Sequence, residues 1–204
     1  NRDAFDEVDI LLKKTKKEHG ESYKLSIYNL PFVYQLNSVN KGISIIGDEY
    51  LQNMFIEILK QKSTPEYGLP FNLQPIMRSY QKAGFQWLMM LKKYGMSGIL
   101  ADDMGLGKTI QAISVLSTLN TTSVSLVICP KTLLFNWANE IDKFGKNLSY
   151  QIYEGSKKER ANILKNLNTN ILFASYSIIQ NDIKQLEKID FEYIILDEAQ
   201  HIKN

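Results

Sequence analysis

Apolar positions fall into two regimes, separated by one polar, proline-rich stretch. After residue 96, five short apolar runs alternate with helical patterns: SGILAD (97–102), SVSLVIC (123–129), SYQIY (149–153), NILFAS (170–175) and EYIILD (192–197). Each predicts a buried strand. Between them Leu133, Trp137, Ile141 and Phe144 define one helix face, and Ile179, Ile183 and Leu186 another. Ahead of the first run, Tyr80, Gly84, Trp87, Leu88 and Leu91 repeat at helical spacing and stop near Gly95. Alternation of this kind predicts an α/β fold: a mainly parallel sheet with helices on both faces, three layers deep.

The separating stretch, STPEYGLPFNLQP, holds Pro65, Pro70, Pro75 and Gly68, which break both helix and strand patterns. It predicts a linker over 65–75, with the main domain at 76–204. Residues 1–64 read as a small α+β accessory unit. Val8, Leu11 and Leu12 suggest a short helix, and Tyr23, Leu25 and Ile27 alternate as in a strand. Leu51, Met54, Phe55, Ile58 and Leu59 mark an amphipathic helix behind the cap residue Asp48. Its aromatic residues read as core, and no chemistry is assigned to it.

Composition narrows the classes. With 204 residues, 44% hydrophobic and 23% charged, the chain has the profile of a globular protein and not of a disordered one. A formal charge of +2 is too balanced to attract a polyanion in bulk, so any nucleic-acid contact must be local. The single Cys129 cannot form an internal disulfide and ends an apolar run, which suits a buried spectator in a reducing compartment. No run approaches the roughly 18 apolar residues of a membrane span, and the polar start at Asn1 is unlike a signal segment. The missing initiator Met suggests a fragment.

Chemistry enters behind the first predicted strand, in ADDMGLGKTIQAI. Gly105 and Gly107 let the backbone turn tightly and aim its N–H groups at phosphate oxygens, while the following helix offers its positive end. Lys108 then reaches the β- and γ-phosphates, and the Thr109 hydroxyl coordinates Mg²⁺. Asp102, Asp103, Met104 and Leu106 complete the loop. Asp102 stands where the strict phosphate-loop pattern places its first glycine.

A second candidate follows the last run, where EYIILDEAQ puts Asp197 and Glu198 just beyond a strand end, the place where open α/β sheets bind ligands. One carboxylate there can hold Mg²⁺ and the other can orient and deprotonate water. Asp-Glu after an apolar run also occurs as an ordinary strand end, so the phosphate loop in the same sheet carries much of this reading.

Taken in order, these residues resemble the Swi/Snf-type DNA-dependent ATPases of helicase superfamily two. MRSYQKAGFQWL resembles that family's glutamine motif, DDMGLGKT its phosphate loop, PKTLLFNWANEIDKF its motif Ia, ILFASYSII its motif Ib and DEAQHIKN its DEAH-type box. The resemblance covers residues 76–204 and implies a P-loop NTPase (RecA-like) lobe that binds ATP and Mg²⁺. It implies that Gln81 reads the adenine edge with Arg78 near the nucleotide, that Lys108 and Glu198 are catalytic, and that Thr109 and Asp197 hold the metal. Lys131, Thr132 and Ser175 would face the DNA backbone. Gln200 stands where many relatives carry His. Trp137 reads as core and not as a base-stacking residue.

The family's motor has two RecA-like lobes, and this chain matches the first. The resemblance therefore implies a second lobe in cis that supplies an arginine, worth roughly 10³–10⁵ in rate, and negligible turnover by this chain alone. It further implies that the strand between the phosphate-loop strand and the Asp197 strand is missing, so that either those two strands close together abnormally or an unpaired edge remains open to self-association. Double-stranded DNA is the expected partner, a bacterial cytoplasm the expected location, and no membrane is involved. The alternative is a non-catalytic nucleotide-sensing or protein-interaction module that retains a phosphate loop. A metabolic kinase or GTPase needs neither the glutamine motif nor DEAQ.

Overall fold

The computed structural model describes residues 67–120 and 122–203, together with 16–17, 23–24, 29, 49–50, 53–54 and 57. The chain divides into two compact units, 1–66 with 88–99, and 67–87 with 100–204. In the first, Lys16–Lys17 (β1) pairs antiparallel with Tyr23–Lys24 (β2). Residues 49, 50, 53, 54 and 57 are helical and Met54 is fully buried, as the amphipathic pattern predicts. Val8, Leu11, Leu12, Leu25, Ile27, Leu51, Phe55, Ile58 and Leu59 lie outside the described residues.

The second unit is built on a parallel sheet of Ser125–Cys129 (β3), Tyr150–Ile152 (β4), Ile171–Ser175 (β5) and Ile194–Leu196 (β6), in the order β4-β5-β3-β6. Val127 lies opposite Phe173 on one side and Ile195 on the other. The strand period of two sends alternate side chains to opposite faces. Val127, Cys129 and Phe173 pack with Lys108–Leu116 (α2, following Ser79–Lys93, α1) and Leu134–Phe144 (α3). Leu126, Ile128 and Leu172 pack with Lys157–Lys165 (α4) and Tyr176–Leu186 (α5). These are the predicted three layers, and α3 buries Leu134, Trp137 and Ile141 as its spacing requires.

Three expectations are corrected. The run 97–102 is not a strand, and Ile99 is 87% exposed. A strand needs a neighbour to take its backbone hydrogen bonds, and β6 forms the sheet edge with no further strand beside it among the described residues. Where it is described, the 65–75 stretch is folded into the second unit and is no linker. Part of its polar backbone is satisfied within that unit: Leu73 N–H donates to Pro70 O at 2.8 Å, and Gln86 both accepts from Tyr67 N–H and donates to Tyr67 O. Leu73 is wholly buried. Finally, Ile183 does not share a buried face with Leu186. The helix α5 is broken at Asp182 (φ −119°, ψ 18°), which turns inward to Tyr153 and Arg160 and leaves Ile183 51% exposed.

Candidate functional site

The phosphate loop hangs between 101 and the start of α2. Gly107 caps that helix at φ 75°, and a Cβ there would meet Gln81 Nε2 at 2.5 Å, so only glycine fits both the dihedral and the space. No acidic residue stands in the first turn of α2, leaving its positive end uncompensated. Lys108 Nζ donates to the carbonyls of Asp102 (2.8 Å) and Asp103 (3.1 Å), so the ammonium is held within its own loop with one donor in reserve. Gln111, fully buried on α2, donates to Asp102 Oδ2 at 3.0 Å. Thr109 follows Lys108, half-buried. Met104 is exposed at the loop tip.

Gln81 comes to this loop from α1. Its Nε2 donates to Leu106 O at 3.0 Å and, more loosely, to Tyr80 Oη at 3.4 Å, while its Oε1 accepts from Arg78 N–H at 2.9 Å. Tyr80 Oη also donates to Leu106 O at 3.0 Å. Both amide hydrogens of Gln81 are thus committed to holding the loop, and a lone pair on Oε1 remains for a ligand. The exposed Arg78 precedes α1 and contributes its main chain to that arrangement.

Asp197 follows β6 and is gripped at four atoms. Its N–H donates to Ile128 O (2.8 Å), its O accepts from Tyr176 Oη (2.7 Å), Oδ2 accepts from Trp137 Nε1 (2.8 Å) and Oδ1 from Glu198 N–H (3.1 Å). Glu198 adopts φ 51°, a left-handed conformation that costs a non-glycine residue about 1 kcal/mol or more. Gln200 Nε2 donates to Glu198 Oε2 and so steadies the carboxylate beside it. Trp137 is core, as expected, and in addition it touches the site. That contact was missed, although an indole N–H on a buried helix face generally needs a partner.

A third group lies at the ends of β3 and β5, where Lys131, Ser175, Tyr176, Ser177, Gln180 and His201 line a cavity of about 330 Å³. Ser175 is buried and its Oγ lies 3.2 Å from Ser177 Oγ, and the His201 ring tilts against Tyr176 at 6.2 Å. Lys131 and Ser175 thus line one cavity, whereas exposed Thr132 is not part of the lining. Tyr176 joins this cavity to Asp197. No hydrogen bond among the described residues joins the phosphate loop to Asp197 or Glu198, nor does any group of three or more His, Cys, Asp or Glu side chains form a metal cage there. The oxygen donors present fit Mg²⁺, which is usually held by one or two protein oxygens with phosphate and water filling the octahedron. A carboxylate whose two oxygens each keep a lone pair and a half-buried threonine hydroxyl supply such oxygens.

A family model described as the SNF2-related domain matches residues 80–204. Similar proteins include the Uncharacterized ATP-dependent helicase MG018 of Mycoplasma genitalium, 41% identical over 72% of this chain and 15% of that protein. The ISWI chromatin-remodeling complex ATPase ISW1 of Saccharomyces cerevisiae is 43% identical over 63% of this chain and 12% of its own. Chromatin-remodeling ATPase INO80 of Arabidopsis thaliana is 39% identical over 99% of this chain and 13% of its own. The Sulfolobus solfataricus SWI2/SNF2 ATPase core in complex with dsDNA superposes with a TM-score of 0.59 at 38% identity, over 68% of this chain and 30% of that one. The chain thus spans between about one eighth and one seventh of the length of these curated relatives.

Proposed function

Because the chain belongs to the SNF2-related family of Swi/Snf-type ATPases, we propose that it is the ATP-binding first lobe of a motor that hydrolyses ATP to move along duplex DNA. The observation that carries this reading is the phosphate loop itself, with Lys108 opening α2 behind Gly107 and Gln81 bonded to the loop carbonyl. On binding, Lys108 exchanges the carbonyls of Asp102 and Asp103 for phosphate oxygens. The N–H groups of the loop and of the first turn of α2 take the remaining phosphate charge. Gln81 keeps its amide on Leu106 and offers Oε1 to the adenine amino group.

Thr109 and Asp197 would hold Mg²⁺, which when bound neutralises charge on the β- and γ-phosphates. Glu198, steadied by Gln200, accepts the proton of the attacking water as the new P–O bond forms and the bond to the β-phosphate oxygen breaks. Lys131 and Ser175 take DNA phosphates in the cavity, where such groups position a duplex without reading its sequence. A second lobe completes the site with an arginine, so this chain alone binds nucleotide with negligible turnover. Self-association through β6 belongs to the same reading, since Ile194 and Leu196 are exposed at the sheet edge; a clean monomer in sedimentation refutes it.

Titration with Mg²⁺·ATP and Mg²⁺·GTP tests the nucleotide part. Saturable, adenine-selective binding that is lost in Lys108→Ala is the expected result. Equal affinity for both nucleotides, or binding indifferent to Lys108→Ala, defeats it. In the protein joined to its second lobe, Glu198→Gln should abolish DNA-stimulated turnover; unchanged turnover would point to the non-catalytic module.

A further inference from the structure

Trp137 lies on α3, sixty residues before Asp197, and none of the steps above uses it. The residue is 4% exposed and its ring rests against Phe173 at a centroid distance of 6.1 Å, so packing sets the direction of its N–H bond. An indole has one donor, and here that donor ends on Asp197 Oδ2 at 2.8 Å. The Glu198 N–H holds the other oxygen, and Ile128 and Tyr176 hold the Asp197 main chain. The carboxylate is therefore fixed in rotation by two donors, and its remaining lone pairs point in directions that the indole helps to set.

We propose that Trp137 is a positioning residue for the divalent cation of the nucleotide site, acting by orienting the Asp197 carboxylate. The proposal rests on the reading of Asp197 as a metal ligand. Mg²⁺ demands nearly ideal octahedral angles, so an oxygen held in place serves it better than one free to rotate. Groups that hold a metal-binding side chain in this way are typically worth 10–100-fold in metal affinity.

The experiment measures ADP affinity of the chain in EDTA and in Mg²⁺, for the wild type, Trp137→Phe and Asp197→Asn. Phenylalanine keeps an aromatic ring in the core and removes the donor. The expected result is unchanged affinity in EDTA for Trp137→Phe, with the gain from Mg²⁺ reduced about tenfold, and the gain abolished in Asp197→Asn. An undiminished gain in Trp137→Phe with a lost gain in Asp197→Asn overturns this proposal and leaves the metal reading standing. An undiminished gain in all three overturns both. A second measurement needs no change at Trp137. The chain has two tryptophans, so ¹⁵N indole spectra carry two side-chain signals, assigned with Trp87→Phe. The Trp137 signal should shift in Asp197→Asn and again when Mg²⁺·ADP is added to the wild type. A signal that ignores both changes refutes the coupling, whatever becomes of the phenylalanine variant.

Discussion

Replacing Arg160 with Leu is expected to destabilise the second unit by about 3 kcal/mol, and the figure follows from how Asp182 is buried. The side chains of Arg160 and Asp182 are 13% and 5% exposed. The guanidinium donates from Nε to Oδ2 and from Nη2 to Oδ1 of Asp182, and from Nη1 to Gly155 O at 2.7 Å. Without it the carboxylate keeps, among the described residues, the Tyr153 hydroxyl at 2.8 Å and the weaker attraction of the Lys157 charge. Removing one partner of a buried pair costs about 3–5 kcal/mol, and the partial access of Arg160 to water favours the lower end. Urea unfolding at pH 7 reads this directly: with an m-value of about 2 kcal/mol/M the midpoint falls by about 1.5 M. The sign of the pH dependence is a second check. Arg160, then Tyr153, hold the Asp182 carboxyl below its ordinary value against the opposing effect of burial. A depressed folded value means that the stabilisation is complete above the unfolded pKa, near 4, and is lost as pH falls through the folded one. The gap between wild type and variant should therefore be widest at neutral pH and close in acid. An unchanged midpoint, or a gap indifferent to pH, refutes the argument.

Gly84→Ala would place a Cβ 1.9 Å from Gln111 Oε1, and Gln111, fully buried, has to release Asp102 to make room. Nucleotide affinity should fall about tenfold, the worth of a charge-assisted hydrogen bond, and an unaltered Kd counts against this link between α1 and the loop. Lys131→Ala should weaken DNA binding evenly across sequences and lower the salt slope by about one; if Thr132→Ala has the larger effect, the cavity is not where the backbone sits. Burial, and after it the Asp197 charge, push the Cys129 thiol up to about 12. Iodoacetamide at pH 8 should accordingly label it only in denaturant, and rapid labelling of the folded chain contradicts its placement.

Features set by neighbours in sequence were legible in the residues. The phosphate loop needs its two glycines and Lys108 within four positions, and the runs at 125–129 and 171–175 show a buried strand by their own composition. Features set by partners far along the chain were not. The run SGILAD is as apolar as its fellows, but apolarity does not reveal whether a neighbour exists to pair it. Asp182 is an ordinary helix-surface residue until Arg160, twenty-two positions earlier, is brought to it. Trp137 was legible as core by its spacing, whereas the contact with Asp197 depends on how α3 packs on the sheet. For Gln81, motif order pointed to the nucleotide, and the structure adds that its amide is already engaged with the loop.

The edge position of β6 also gives the strand a clock of its own. Leu126 N–H donates to Tyr193 O and Asp197 N–H to Ile128 O, so in this parallel ladder the odd-numbered residues face β3. Ile194 and Leu196 turn their N–H groups the other way, toward the side where no described strand follows. Amide exchange along three consecutive residues should therefore alternate fast, slow, fast. A chain that pairs with the outer side slows Ile194 and Leu196 while Ile195 keeps its own rate, so the strand records, residue by residue, whether anything has joined it.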